Sequence, residues 1–365
     1  MKQTIRLVVP VFAIISMPAI AYDVNDQLSI GGLLAGAIQC QNLSDAPGFE
    51  DTCEYAVPLQ PEMRFRPNDT DEIFFKFGFA AGNGLNEVTP FKVSPWAASL
   101  ESDVKNINGR NRDYLLTAWY KHTFKLSNAN TIDATFGIID SRQYLDENAY
   151  ANDEYTQFMN AALTNGPNVF LPSYDIGVST VWNAGRWTFS GVLMNIGENI
   201  DGNNTTFLGV QAEIQINNSL GTGNYRVIIK NTSKDFLDVT GTQLERRESA
   251  ILSVDQELGD TTGAWIRLGW RDDNAAGDYD TLYSGGIDLK GAAWKRQGDN
   301  IGIGMAYLQG GSQAIKDTTL AEAYYRWRLN NVLALSTSIQ YQNDHYNVGV
   351  APEGFIFGLR AVAEF

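Results

Sequence analysis

The last thirteen residues, 353–365, limit most strongly what this chain can fold into. Along an extended strand, one face carries Phe355, Phe357, Leu359, Ala361, Ala363 and Phe365, and the other carries Gly358, Arg360 and Glu364. Two apolar residues, Ile356 and Val362, interrupt the polar face. A strand with one oily face and one polar face fits either a soluble sandwich or a membrane barrel, and the number of similar strands decides between them.

Sixteen segments of about ten residues show a similar alternation and are separated by turn-forming residues. They are roughly 27–39, 56–66, 72–81, 113–126, 131–140, 174–183, 186–196, 206–217, 224–231, 247–258, 263–271, 281–291, 299–309, 319–329, 332–342 and 353–365. A period of two over segments of this length favours strands over helices. The sequence therefore predicts an all-β protein.

The connections between these segments alternate in length. Tight turns follow even-numbered segments, as at 127–130, 183–185, 217–222 and 329–332. Longer polar stretches follow odd-numbered segments, at 40–60, 82–112, 141–173, 231–246, 272–280 and 342–352. Short turns on one side and long loops on the other are typical of an outer-membrane β-barrel with sixteen antiparallel strands, periplasmic turns and extracellular loops. The terminal aromatic residue resembles the end of the closing strand in such Gram-negative barrels.

The amino terminus predicts export. Lys2 and Arg6 precede a mostly apolar run that ends at a small-x-small site before Tyr22, so we interpret residues 1–21 as a signal peptide and residues 22–365 as one barrel domain. Beyond residue 21, no run reaches the roughly 20 apolar residues of a membrane helix. Without Lys2 and Arg6, 25 basic residues face 42 acidic ones, a formal charge of −17. A nucleic-acid partner is therefore not expected.

Cys40 and Cys53 are the only cysteines of the chain and lie close in sequence. In an exported protein this spacing predicts one disulfide that closes a short loop. A pair of free or metal-binding thiols is the alternative.

One long stretch, 137–164, does not alternate. In its second half, Tyr155, Phe158, Met159 and Ala162 recur at helical spacing. They follow Asn152 and Asp153, which can cap a helix amino terminus, so a short helix is expected inside the third long loop. The run 141–158 also resembles the carbohydrate-selective porins of the OprB family, through Asp146, Asn148, Ala151, Asn152, Asp153, Glu154, Gln157 and Phe158. The resemblance implies a sixteen-stranded outer-membrane channel for sugars and other small solutes, narrowed by loops folded into the pore.

The lumen-facing register supplies candidates for the constriction, because a narrow pore discriminates by diameter and by the charges and hydrogen-bonding groups on its wall. These are Arg64, Arg66, Lys76, Arg326 and Arg360, opposed by Glu322 and by the loop residues Asp146 and Glu147. The constriction loop itself is expected to comprise Asp146, Glu147, Asn148, Asn152, Asp153, Glu154, Gln157 and Phe158. An inner wall that is relatively positive is expected, although these charges could equally pair across neighbouring strands.

Other functions have weaker support. His122 lies on the predicted lipid-facing register without a nucleophile pattern, and no metal-ligand spacing is present, so neither an enzyme nor a metal or organic cofactor is expected. The alternative function is a plugged structural or adhesive barrel without transport. The expected partners are a small carbohydrate, outer-membrane lipid and lipopolysaccharide. Porins of this size often form trimers, so a homotrimer is one expected assembly, although lipid contact alone also accounts for apolar outer faces.

Overall fold

The computed structural model describes residues 22–127, 129–349 and 351–365, and these form a barrel of sixteen strands. The strands are β1 (Leu28–Ser44), β2 (Thr52–Phe65), β3 (Asp71–Phe77, continued by Phe79–Ala81), β4 (Leu115–Ser127), β5 (Asn130–Ile139), β6 (Asp175–Ala184), β7 (Trp187–Ile196), β8 (Thr205–Asn218), β9 (Gly221–Thr232), β10 (Glu248–Glu257), β11 (Thr262–Arg271), β12 (Tyr279–Lys290), β13 (Asn300–Gly310), β14 (Ile315–Arg328), β15 (Leu333–Tyr346) and β16 (Glu353–Glu364). The predicted signal peptide, residues 1–21, lies outside the described residues, and its cleavage stays a prediction.

Each strand pairs antiparallel with its neighbours in the chain, and the sheet closes where β1 pairs with β16. The closing ladder runs from Leu33 opposite Glu364 to Ser44 opposite Glu353. Beyond it, the backbone N–H groups of Gly32 and Phe365 each donate to the other residue's carbonyl oxygen, at 2.7 and 3.0 Å. The predicted antiparallel sixteen-stranded barrel is confirmed. None of the helices in the described residues is long and apolar enough to cross a membrane.

The connections on one side of the barrel are the loops L1 (45–51), L2 (82–114), L3 (140–174), L4 (197–204), L5 (233–247), L6 (272–278), L7 (311–314) and L8 (347–352). L2 and L3 are the longest. The first predicted stretch, 40–60, is shorter than expected, because β1 continues to Ser44 and β2 begins at Thr52. L5 contains a small hairpin that pairs Phe236–Leu237 with Leu244–Glu245. Short helical turns lie at Ile107–Gly109, Ser141–Gln143 and Gly291–Trp294, and helix α1 is Ala161–Thr164.

The final strand separates its two faces as the alternation predicts. Phe355, Phe357 and Leu359 point away from the lumen and are 44%, 50% and 57% exposed in the isolated chain. The two apolar exceptions, Ile356 and Val362, point inward and are almost fully buried. Ile356 packs with Leu85 and Phe91 of L2, and Val362 lies in a second cluster that also contains residues of L2 and L3. Apolar residues on the inner face therefore mark where loops fold into the barrel.

Candidate functional site: the lumen and the loops inside it

L2 and L3 fill part of the lumen and pack against each other as well as the wall. Trp96 and Leu100 of L2 share an apolar cluster with Tyr155 and Met159 of L3 and with Val362 of β16. Backbone hydrogen bonds join the loops directly, from Ala97 N to the Met159 carbonyl at 2.9 Å and from Ala161 N to the Ser94 carbonyl at 3.1 Å. The indole Nε1 of Trp96 donates to the Glu154 carbonyl at 2.9 Å. The two loops therefore form one packed unit inside the barrel.

The aromatic anchor of L3 is Phe158, which is 1% exposed. Its ring centre lies 5.7 Å from that of Trp265 in β11 and 5.1 Å from that of Tyr324 in β14. Gly304 of β13 makes room for it, because a Cβ there would lie 3.0 Å from the Phe158 ring. Gly263 of β11 has the same role for Tyr150, since a Cβ would approach that ring to 2.1 Å. Glycines on the inner wall thus let bulky loop side chains approach the strand backbone.

L3 does contain a short α-helix, but it is displaced: of the residues that predicted it, Tyr155, Phe158 and Met159 lie outside the helix, which spans Ala161–Thr164. Asp153 does cap a single turn, since its Oδ1 accepts from Tyr155 N at 2.8 Å and Gln157 N donates to the Asp153 carbonyl at 2.9 Å. The turn is not continued because the N–H groups of Met159 and Asn160 are held by Glu322 of the barrel wall. Asn160 then caps α1, accepting from Ala162 N at 3.0 Å. A tertiary contact has overridden the local helical periodicity.

Glu322 and Arg360, both predicted in the constriction, bind the main chain of L3 on the side of the loop that faces the barrel wall. The Glu322 carboxylate accepts from Met159 N at 2.8 Å and from Asn160 N at 2.9 Å. The Arg360 guanidinium donates to the Glu154 carbonyl at 2.6 Å and to the Gln157 carbonyl at 2.8 Å. Each wall residue is 1% exposed. Their charges therefore hold the loop in place and do not face the water of the lumen.

A third wall residue, Arg267 of β11, binds L3 at points in both of its halves. Its Nε donates to Asp146 Oδ2 at 2.6 Å, Nη2 to the Ala151 carbonyl at 2.7 Å and Nη1 to the Leu163 carbonyl at 3.1 Å. Asp146 is 3% exposed and has a positive φ of 64°, in the left-handed region that Asp adopts more readily than most other residues with a side chain. Asp146 is thus an anchor of the loop, not a pore-facing carboxylate.

The remaining residues of the predicted loop motif divide into two groups. Asn148 points to the wall, where its Nδ2 lies 3.3 Å from Ser253 Oγ and 3.3 Å from the Val254 carbonyl oxygen. Gln157 folds the loop on itself, because its Oε1 accepts from Asn152 N at 2.7 Å and its Nε2 donates to the Ala149 carbonyl at 2.8 Å. The residues of the motif that border open space are Glu147, Asn152, Asp153 and Glu154. The motif therefore combines loop-holding residues with residues that can meet a solute.

That open space is a cavity of about 470 Å³ between L3 and the barrel wall. It is lined by Gly32, Leu33, Gln60, Glu62, Lys76, Asp140, Arg142, Gln143, Glu147, Asn152, Asp153, Glu154, Tyr155, Thr156, Asn165, Tyr174, Arg326, Arg328, Glu364 and Phe365. Of the predicted wall residues, Lys76 and Arg326 border this cavity. The sequence did not predict that L2 packs against L3 inside the barrel. The apolar residues Ile356 and Val362 on the inner face of β16 were a signal of this packing, because they contact L2.

Arg64 and Arg66 lie elsewhere, around Glu72 of β3. The Glu72 carboxylate is 2.9 Å from Arg64 Nε, 3.2 Å from Arg66 Nε and 3.3 Å from Lys121 Nζ. Arg66, Glu72 and Lys121 border a second cavity of about 470 Å³ beside the turn after β2. The structure therefore does not bring Arg64 and Arg66 together with Lys76 and Arg326 at the main cavity.

The inner wall is less positive than expected, because several of its basic residues are paired with acidic ones. Arg226 Nε lies 2.8 Å from Glu213, and its Nη1 lies 2.5 Å from Asp255. Arg271 is 2.8 Å from Asp280. Cross-strand pairing, the alternative considered from the sequence, describes most of these wall charges.

The cysteines form the predicted disulfide. Cys40 of β1 and Cys53 of β2 are opposite each other in the ladder and are bonded, with a sequence separation of 13. The bridge joins the two strands that lead into L1. It lies outside the lumen and plays no part in lining the cavity.

A closed sixteen-stranded antiparallel barrel with two long loops folded into a polar lumen defines an outer-membrane channel for solute diffusion. Residues 82–365, more than three quarters of the chain, match the family described as the carbohydrate-selective porin, OprB family. The chain belongs to this family and is a multi-pass protein of the outer membrane.

One protein sequence and several solved structures are similar to this chain over most of its length. An uncharacterized protein of Aquifex aeolicus (strain VF5) is 27% identical over 304 residues, which cover 80% of this chain and 84% of that protein. The high-pH structure of Pseudomonas putida OprB matches with a TM-score of 0.72 at 15% identity and covers 93% of this chain and 94% of that one. The outer membrane channel DcaP of Acinetobacter baumannii matches with a TM-score of 0.58 at 9% identity, covering 96% and 100%. These structural matches concern the fold.

Proposed function

We propose that this channel lets sugars and other small neutral solutes diffuse passively between L3 and the barrel wall. The observation that carries the proposal is the cavity of about 470 Å³, a volume within the range of about 300–1,000 Å³ typical of small-molecule sites. Its lining offers carboxylates, amides, guanidinium groups and hydroxyls, which can exchange hydrogen bonds with a polyol in place of water. No energy input or cofactor is required by such a pathway.

Two opposing surfaces form the proposed constriction. Lys76 of β3 and Arg326 of β14 supply donors from the wall, and L3 supplies acceptors from Glu147 and Glu154 and an amide from Asn152. Donors and acceptors on opposite sides can hold different hydroxyl groups of one sugar ring. The buried residues Asp146, Glu322 and Arg360 contribute indirectly, because they determine how far L3 extends into the lumen.

Liposome swelling with sugars of graded size tests this function. The wild-type protein should admit monosaccharides and exclude large oligosaccharides, and deletion of residues 146–160 should raise the size limit. Deletion of residues 239–243, an exposed tip of L5, is the control and should leave the limit unchanged. A folded wild-type barrel that gives no swelling with any sugar would instead support the plugged structural or adhesive barrel.

The family and the fold are those of channels, and we propose that this chain has no catalytic activity. His122 faces outward on β4, and its Nδ1 lies 2.7 Å from Asp71 Oδ1. The Tyr120 hydroxyl also donates to Asp71, so this group resembles an interfacial hydrogen-bond network. Among the described residues there is no group of three His, Cys, Asp or Glu side chains suited to a metal ion.

We also propose that the outward apolar faces contact outer-membrane lipid, with lipopolysaccharide at the acidic extracellular loops. A homotrimer stays a prediction, since apolar outer faces suit lipid and protein neighbours alike. Native mass spectrometry of the protein in detergent tests it. A trimer that persists on dilution supports the prediction, and a monomer at every concentration contradicts it.

A further inference from the structure

The charges around the main cavity are not balanced between its two sides. Three ion pairs neutralise six of the lining residues: Lys76 with Glu62 at 3.6 Å, Arg142 with Asp140 at 2.8 Å, and Arg326 with Glu364 at 3.4 Å. The one other basic residue, Arg328, donates to the carbonyl oxygens of Asn330 and Asn331 in the turn after β14.

Three lining carboxylates, all on L3, remain. Glu147, Asp153 and Glu154 have no basic side chain within 4.0 Å among the described residues. Glu147 is exposed to the cavity, and Asp153 and Glu154 are half-buried. Asp153 uses its carboxylate to cap the turn of L3, where it accepts from Tyr155 N at 2.8 Å and from Thr156 Oγ1 at 2.6 Å.

The charges behind L3 do not compensate for these three acids. The wall there carries Arg226, Lys230, Arg267 and Arg360, and against them stand Glu213, Asp255, Glu322 and the loop anchor Asp146. Four basic and four acidic groups cancel. Only the guanidinium of Arg328 stands against the three unpaired carboxylates of L3, so a solute in the cavity meets a net excess of two negative charges.

We propose that Glu147, Asp153 and Glu154 make the channel charge-selective, so that neutral and cationic solutes pass and anionic solutes, such as sugar acids and sugar phosphates, are disfavoured. A low-dielectric wall around a narrow aqueous space strengthens the field of fixed charges inside it. The proposal depends on L3 bordering the solute path, but it does not depend on which neutral solute is carried.

The same arrangement makes the selectivity depend on pH. The protein that encloses the narrow cavity limits the solvation of Glu147 and Glu154 and raises the pKa of each to about 7. Both carboxylates are therefore ionised at pH 8.5 and mostly neutral at pH 5.5. The charged and titratable groups that face Glu147 are Tyr144, Glu213 and Arg226, and Arg226 is in turn held by Asp255. Those that face Glu154 are Asp140, Arg142, Asp153, Tyr155, Tyr174 and Arg360.

Reversal potentials across a planar bilayer with a KCl gradient measure this selectivity. For the wild-type protein, the ratio of K⁺ to Cl⁻ permeability should exceed one at pH 8.5. At pH 5.5 the ratio should fall by about threefold, because two fixed negative charges a few ångströms from the ion path are neutralised. The double variant Glu147→Gln with Glu154→Gln should show the lower ratio at both pH values. The Glu248→Gln variant, at the exposed end of β10, is the control and should behave as wild type.

A wild-type ratio at or below one at pH 8.5 would overturn the proposal. So would a wild-type ratio that does not change with pH, a measurement that needs no variant. An unchanged ratio in the folded double variant would remove these two carboxylates from the selectivity. Swelling with neutral sugars is measured separately, so a failure of charge selectivity is distinguishable from a failure of sugar passage.

Discussion

Replacing Glu322 with alanine should release the centre of L3 from the barrel wall. The substitution removes the acceptor for two backbone N–H groups, at 2.8 and 2.9 Å, and leaves both donors buried without a partner. Hydrogen bonds to a charged group contribute about 1.5–3 kcal/mol each, so together they stabilise the docked loop by about 3–6 kcal/mol. At about 1.4 kcal/mol per factor of ten, even the lower figure raises the open population of L3 about a hundredfold.

The sixteen-stranded sheet does not depend on this contact, so the barrel should stay folded while the loop opens. Limited proteolysis in detergent with an enzyme that cleaves after aromatic residues reports the opening, because Tyr155 and Phe158 are 6% and 1% exposed in the docked loop. Cleavage that follows the open population should become at least about tenfold faster in the variant, and single-channel conductance should rise.

Glu353→Ala provides a matched control. Glu353 is a carboxylate on β16 that also accepts two hydrogen bonds, from Tyr341 Oη and Asn343 Nδ2, both at 3.2 Å, but neither donor belongs to L3. The control should be cleaved at the wild-type rate. Equal cleavage of wild type and Glu322→Ala, together with equal conductance, would refute the idea that this carboxylate holds L3.

Two further substitutions test separate parts of the structure. Phe158→Ala removes the ring between Trp265 and Tyr324 and should destabilise the docked loop by about 3–5 kcal/mol. Proteolysis of L3 should then be faster, while the melting temperature of the barrel stays unchanged. Protection of L3 equal to that in the wild type would contradict the packing. The double variant Cys40→Ser with Cys53→Ser removes a cross-link between residues 13 apart and should lower the free energy of unfolding by up to about 3 kcal/mol. Single-channel conductance should not change. An altered conductance would show that the bridge affects the lumen.

The strands were predictable because their pattern is local. A residue that faces lipid must be apolar and its neighbour faces water, so the alternation in a segment such as β16 does not depend on distant contacts. The disulfide was predictable for a similar reason, since Cys40 and Cys53 lie on adjacent strands joined by one short loop. The apolar residues Ile356 and Val362 on the otherwise polar face also indicated that loops fold into the barrel. They did not indicate which loops.

The roles of individual charges were not predictable in the same way. A side chain that faces the open lumen and one that faces the underside of a loop share the same register, so Arg326 and Arg360 looked alike in sequence. Only the path of L3 separates them, because it covers Arg360 and leaves Arg326 beside the cavity. The position of the short helix in L3 was not predictable either, because Glu322 holds the backbone N–H groups of Met159 and Asn160 from more than 160 residues away in the sequence.

The central claim is that the barrel encloses a continuous aqueous path despite the two loops inside it. Single-channel recording of the purified protein in a planar bilayer tests this claim most directly. We predict discrete conductance steps in KCl, which become smaller when a monosaccharide enters the pore and displaces electrolyte, and which remain unchanged with a polymer too large to enter. A folded, membrane-inserted barrel that conducts no ions would contradict the account.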